Sequence, residues 1–160
     1  MQTSDTSTAC SGSPDDMRTE FIELVGRIVQ AEGLPRNAGR ILGFLIFDGG
    51  AVSFGDLAEQ LQISRGSISS GSRLLEEFGL IRRVSKPGER QDYFELEDDP
   101  YINLLDRARA RAQRAKEAVQ KTAAHSSDAP DLSRRISDFA NFYHQVESCI
   151  GQARQDMKDK

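Results

Sequence analysis

From Asp15 onward, Phe21, Leu24, Val25 and Ile28 recur at i, i+3, i+4 and i+7, the stripe of an amphipathic helix, with Asp15 and Asp16 where the helix dipole favours acids. This first helix should end near Gly33 and Pro35. After Asn37, the run Ala38 to Phe47 is apolar almost all round, which predicts a central helix. Gly39 and Gly43 stack one turn apart on it. Each costs about 1 kcal/mol relative to Ala in a helix interior, so a close helix crossing is expected as compensation. Asp48-Gly49-Gly50 ends the element.

Ala51 to Phe54 is a short extended piece, and Ser53-Phe54-Gly55-Asp56 has the form of a capping box. A third helix is predicted from Phe54 to Leu61, with Leu57, Ala58 and Leu61 inward, then a break at Gln62-Ile63. Ser64 caps a fourth helix that runs to Phe78 and is closed by Gly79. Leu80 to Ser85 and Gln91 to Leu96 are β-rich, and Lys86-Pro87-Gly88-Glu89-Arg90 between them suits a type II turn or a slightly longer tip. Helix 5 follows over Tyr101 to Ala124 and, after a break at Ser126 to Pro130, helix 6 over Asp131 to Met157.

Two short helices at a tight break followed by a hairpin define a winged helix-turn-helix. The predicted class is therefore mainly α with a small β-wing, a winged helix-turn-helix domain over residues 15–99 and a C-terminal helical dimerisation region over 100–160. Helix 4 turns Ile68 and Leu75 inward. On its opposite face stand Arg65, Ser67, Ser69, Ser70 and Arg73, next to the capping Ser64. Short hydroxyls reach phosphate or base edges without bulk, and Arg binds guanine bidentately, so this face suits a major groove. Gly66 and Gly71 would allow close backbone approach. Lys86 and Arg90 bracket the wing tip, and Arg90 is placed for a minor groove. The partner implied is double-stranded DNA.

Composition first pulls the other way, because a net charge of -4 and a pI of about 5.3 argue against an anionic partner. That charge is unevenly spread. Met1 to Pro35 holds six acidic against two basic residues, whereas Gln62 to Arg90 holds six basic against three acidic. Screening over about 8 to 10 Å lets the local patch govern contact, so the acidic total limits nonspecific affinity without excluding DNA. Met1 to Asp16, rich in Ser and Thr with no aromatic residue, is expected to begin as a disordered tail over residues 1–14. It lacks the basic and apolar regions of a signal peptide, and the longest apolar run, Ile41 to Phe47, is too short to span a membrane. A cytoplasmic protein is expected. Cys10 and Cys149 then read as free thiols.

On helix 6, Leu132, Ile136, Phe139, Tyr143, Val146, Ile150, Ala153 and Met157 repeat with 4-3 spacing, widened by Phe142 and Cys149. Helix 5 carries the same spacing in Tyr101, Leu105, Ala108, Ala112, Ala115, Val119 and Thr122. Leu132, Ile136, Phe139, Tyr143, Val146, Ile150 and Met157 are the predicted homodimer seam, with an intramolecular hairpin as the competing reading. Arg107, Arg111, Arg114 and Lys121 form a basic stripe read as a solvated face, with Asp138 and Glu147 as partners. Phe21, Phe44, Phe47, Tyr101 and Phe142 are the candidate lining of an effector pocket, its ligand unidentified. His125 and His144 have no spacing suited to zinc and no nucleophile motif accompanies them. No catalysis, metal or cofactor is expected.

The run from Gly33 to Gly43 with its Leu34-Pro35-Arg36-x-x-Gly39-Arg40 element, Ser53 to Leu61, Ser64-x-Gly66-x-x-Ser69, Leu74 to Ile81 and Gly88 to Tyr93 resembles the GbsR branch of the MarR-type regulators. The resemblance covers roughly Phe21 to Tyr101. It implies a dimeric, usually repressing transcriptional regulator whose DNA affinity responds to a ligand. Winged helices also serve as subunits that dock partner proteins, here through the C-terminal helices, and that function is the alternative.

Overall fold

A computed structural model describes residues 13–123 and 130–159. The predicted tail over residues 1–12, Cys10, His125 and most of the predicted break after helix 5 lie outside them. The element order is α1 (Pro14–Ala31), α2 (Arg36–Asp48), β1 (Val52–Ser53), α3 (Phe54–Leu61), α4 (Arg65–Glu77), β2 (Ile81–Val84), β3 (Tyr93–Leu96), α5 (Pro100–Ala123) and α6 (Pro130–Lys158). The sheet order is β1-β3-β2, with β1 antiparallel to β3 through Val52↔Phe94 and Ser53↔Tyr93. The chain divides into two compact units: residues up to Leu75 with Arg83–Leu96, and Glu76–Arg82 with Glu97 onward.

The first unit begins earlier than the composition suggested. Ser13 accepts a hydrogen bond from the Asp16 amide at 3.2 Å, and the Asp16 carboxylate accepts one from the Ser13 amide at 3.1 Å. With Pro14 at the first helical position, this capping box orders residues assigned above to the tail.

The crossing anticipated for Gly39 and Gly43 is made by α1. A Cβ on Gly39 would lie 2.8 Å from the Gly26 α-carbon, and one on Gly43 would lie 3.1 Å from the Ile22 α-carbon. That contact also revises the inner face of α1, on which Ile22 and Gly26 are buried while Leu24 and Ile28 are 44% and 52% exposed. Two backbones meet this closely only where one side chain is absent, so α1 turns the edge that carries Ile22 and Gly26 inward and leaves Leu24 and Ile28 out. Ile41, Phe44, Leu45, Leu57, Ile68, Leu75 and Phe94 fill the core below.

The second unit pairs α5 with α6. Ala112 and Ala140 are its buried small residues. Glu147 receives Lys116 at 2.5 Å and Arg109 at 3.5 Å, and Arg154 pairs with Asp106. Glu147, expected as a partner of the basic stripe, thus takes Lys116 and Arg109 of α5. The 4-3 seam of α6 splits into two faces. Ile136, Tyr143, Val146 and Ile150 are half-buried within the unit, whereas Leu132, Phe139, Phe142, Cys149 and Met157 are exposed. Among the described residues no helix is long and apolar enough to cross a membrane.

Candidate nucleic-acid interface

The break between α3 and α4 is a sharp backbone feature. Gln62 adopts φ 50°, a left-handed conformation unusual for a residue with a side chain, and the Ile63 amide donates back to the Ala58 carbonyl at 3.3 Å. The Leu61 carbonyl, orphaned by the end of α3, accepts from Arg40 Nη2 at 2.9 Å. Arg40 is itself held by Glu23, Nε to carboxylate at 2.7 Å, and Glu23 takes Arg36 at 2.6 Å. Burial pushes the Glu23 carboxyl up, but its bond to Arg36 and the charge and bond of Arg40 outweigh that and hold it below the ordinary range. Arg18 braces the same end of α3: it grips Asp48 at 2.7 and 2.5 Å, donates to Gln60 at 2.8 Å and lies 4.4 Å over the Phe44 ring.

These braces hold the break from which α4 starts. Ser64 caps it, accepting from the Ser67 amide at 3.1 Å and donating to the Ser67 hydroxyl at 3.0 Å. Ile68, Gly71, Ser72 and Leu75 are buried. Arg65, Ser69, Ser70 and Arg73 share the exposed side with Gly66, where a Cβ would meet Ser64 Oγ at 3.9 Å. Two sequence expectations change here. Ser67 is half-buried and engaged in the cap rather than fully outward. Gly71 faces inward: a Cβ there would meet Ile41 Cδ1 at 2.8 Å and the Ala38 α-carbon at 3.4 Å, so its bare backbone serves α2. The Arg65 guanidinium lies 5.3 Å from the Phe54 ring centre, at the start of α3.

The wing closes as the turn chemistry anticipated. Glu89 donates its amide to the Lys86 carbonyl at 3.1 Å, and Gly88 takes φ 84°. Below the tip, the Tyr93 hydroxyl donates to the Glu89 carboxylate, and Gln91 Nε2 donates to the same phenol oxygen at 3.3 Å. The Tyr93 bond draws the Glu89 carboxyl below its usual range and pushes the phenol up. Lys86 folds back, Nζ 4.1 Å above the Tyr93 ring, while Arg90 is exposed. Arg83 pairs with Asp92 at 3.0 Å across the hairpin.

The aromatic candidates for an effector pocket fall in different surroundings. In the first unit, Phe21 and Phe47 meet at 5.8 Å, and Phe44 is fully buried core. In the second unit, Tyr101 lines a shallow cavity of about 160 Å³ with Asp98, Asp99, Pro100, Ile102 and Met157. Phe142 lies parallel to Phe139 at 6.4 Å, with Tyr143 edge-on to both.

Sequence reading missed Arg18 and Glu23 altogether. Arg36 and Arg40 were visible in the Leu-Pro-Arg-x-x-Gly-Arg element, but their shared carboxylate stands 13 and 17 positions earlier in the chain. On α5, Asn103 and Arg107 reach the end of α4, donating to the Gly79 carbonyl at 2.8 Å and the Glu77 carbonyl at 2.5 Å.

The MarR family profile matches residues 32–91. The chain is 33% identical over 142 residues to the HTH-type transcriptional regulator MmpR5 of Mycobacterium tuberculosis, covering 88% of this chain and 85% of that one. It is 25% identical over 85 residues to the HTH-type transcriptional repressor OpcR of Bacillus subtilis, covering 53% of this chain and 46% of that one. A crystal structure described as a transcriptional regulator superposes with a TM-score of 0.74 at 30% identity, covering 92% of this chain and all of that one.

Proposed function

Because the chain belongs to the MarR family and is a DNA-binding transcriptional regulator, we propose that it acts as a homodimeric, ligand-responsive repressor of a pseudo-palindromic operator. Residues 15–99 form the DNA-binding domain and 100–160 the dimerisation module. The observation that carries this reading is the exposed face of α4, where Arg65, Ser69, Ser70 and Arg73 stand opposite the buried Ile68, Gly71 and Leu75. α4 enters the major groove there, with Ser64 and Ser67 at its capped start, and Lys86 and Arg90 grip the backbone or the adjacent minor groove. The repressor sense is supported by the likeness to OpcR. Within the family we assign the chain to the GbsR-like branch. Its Leu34-Pro35-Arg36-x-x-Gly39-Arg40 element supports this, since Arg36 and Arg40 hold Glu23 and Gly39 makes the α1 crossing.

A second copy is the occupant proposed for the outward face of α6. Phe139 and Phe142 are 53% and 56% exposed, in line with Leu132 and Met157. An apolar row of this length on one helix marks an interaction surface. A two-fold pair of chains would then read two half-sites about one helical turn apart. The effector is a small molecule of unidentified class, for which Phe21 and Phe47 are the retained candidate contacts.

Salt-dependent binding tests the roles of the basic residues. Arg90→Ala should weaken binding to every sequence and reduce the salt slope by about one, as loss of a phosphate contact does. Arg65→Ala or Arg73→Ala should cost about 1 to 3 kcal/mol at particular base pairs. Equal losses on all sequences from all three variants would contradict the division of labour between α4 and the wing.

A further inference from the structure

The last carbonyls of a helix have no partner within it, and an arginine near that end also meets the negative pole of the dipole. In α4 the last of them, the Glu77 carbonyl, is taken by α5, as is the Gly79 carbonyl just beyond the helix. Arg107 Nη1 donates to the Glu77 carbonyl at 2.5 Å and Asn103 Nδ2 to the Gly79 carbonyl at 2.8 Å. The Arg107 guanidinium lies 4.4 Å over the Phe78 ring, and the Glu97 amide donates to the Leu80 carbonyl at 3.1 Å. Arg82 adds an ion pair with Asp98 at 3.1 Å. Four successive residues, Glu77 to Leu80, are thus each clasped from the segment Glu97 to Arg107.

Gly79 fits the same clasp. It adopts φ 66°, and a Cβ on it would meet Asn103 Cβ and Nδ2 at 3.3 Å. The chain's division into compact units falls after Leu75, so Glu76 and Glu77 group with α5 and α6 although the helix is unbroken from Arg65 to Glu77. At 1.5 Å per residue the helix is about 20 Å long, and an anchor at its end acts on the element that carries Arg65 and Arg73.

We propose that Asn103 and Arg107 are positioning residues for DNA recognition, anchoring the C-terminal end of the helix that carries Arg65 and Arg73. Arg107 accordingly has a role distinct from the solvated basic stripe to which its spacing assigned it. This inference rests on the proposed reading that α4 meets the bases.

The test uses the full chain and two duplexes: the one that wild-type protein selects from sheared genomic DNA, and a scrambled duplex of equal length. Asn103→Ala and Arg107→Ala should each lower the ratio of selected to scrambled affinity by about tenfold or more, leaving scrambled-duplex binding and its salt slope unchanged. Arg107→Lys, whose ammonium still donates, should recover part of the ratio. Without DNA, hydrogen exchange should quicken at the amides of residues 76–80 in both Ala variants while the buried amides of α2 stay protected. Equal weakening on both duplexes with a flatter salt slope would make Arg107 a phosphate contact and overturn the proposal. An unchanged ratio in both Ala variants would also overturn it. Arg73→Ala separates the two levels: if it lowers the ratio while the α5 variants do not, positioning fails alone. If it too is silent, the reading of α4 fails with it.

Discussion

Gly39 of α2 lies so close to Gly26 of α1 that a Cβ on Gly39 would stand 2.8 Å from the Gly26 α-carbon, and at the same distance from the Val25 carbonyl oxygen. Neither is the end of a side chain that can swing aside. Gly39→Ala gains about 1 kcal/mol of helix propensity but incurs about 1 to 3 kcal/mol of overpacking, at the upper end because backbone must move. Urea unfolding should show a net loss of about 2 kcal/mol; a stabilised variant would mean that the helices separate without cost.

Ser72 offers the opposite case. It is 1% exposed and its hydroxyl has no hydrogen-bond partner among the described residues. A buried hydroxyl left unpaired sacrifices its solvation, and Ala is the better helix former. Ser72→Ala should raise stability by about 1 kcal/mol in the same urea assay, and a loss of that size would reveal a bond to the hydroxyl.

The acid limb of stability depends in part on Glu23. Its folded carboxyl is held below the ordinary range by Arg36 and Arg40, against burial, so its contribution is present above the unfolded value of about 4.3 and disappears as pH falls through the folded one. Glu23→Gln should therefore destabilise the chain at neutral pH and flatten the decline below about pH 4.3. Parallel pH profiles of variant and wild type would deny Glu23 that role.

For the proposed dimer face, the probes follow from the split seam of α6. Phe142→Asp places a charge on an exposed residue and should yield a folded monomer with weakened operator affinity. Ile150→Asp acts on the half-buried face and should instead unfold the α5–α6 pair. Sedimentation and circular dichroism separate these outcomes, and a dimeric Phe142→Asp protein would exclude this face as the interface.

Periodicity and turn chemistry were enough to place the helices, because Ser64, Gly79 and Pro87-Gly88 act on their own neighbours. They also anticipated a close crossing at Gly39 and Gly43. They misjudged which side of α1 is buried, since the choice between its Gly26 edge and its Leu24–Ile28 edge is made by the glycines of another helix. The exposed residues of α4 were legible for a similar reason: a helix with Ile68 and Leu75 inward leaves Arg65 and Arg73 outward. Arg18, Glu23 and Asn103 were not legible. Each matters through a group at least 13 positions away, and no local spacing encodes such a partner.

The most direct test is a protection footprint of the full chain on the duplex it selects from sheared genomic DNA, with chains per duplex counted by sedimentation at low salt. Two chains should protect two related half-sites about 10 base pairs apart, and Arg73→Ala should lose that selectivity while remaining dimeric. A dimeric wild-type protein that selects no sequence and leaves no footprint would contradict the account.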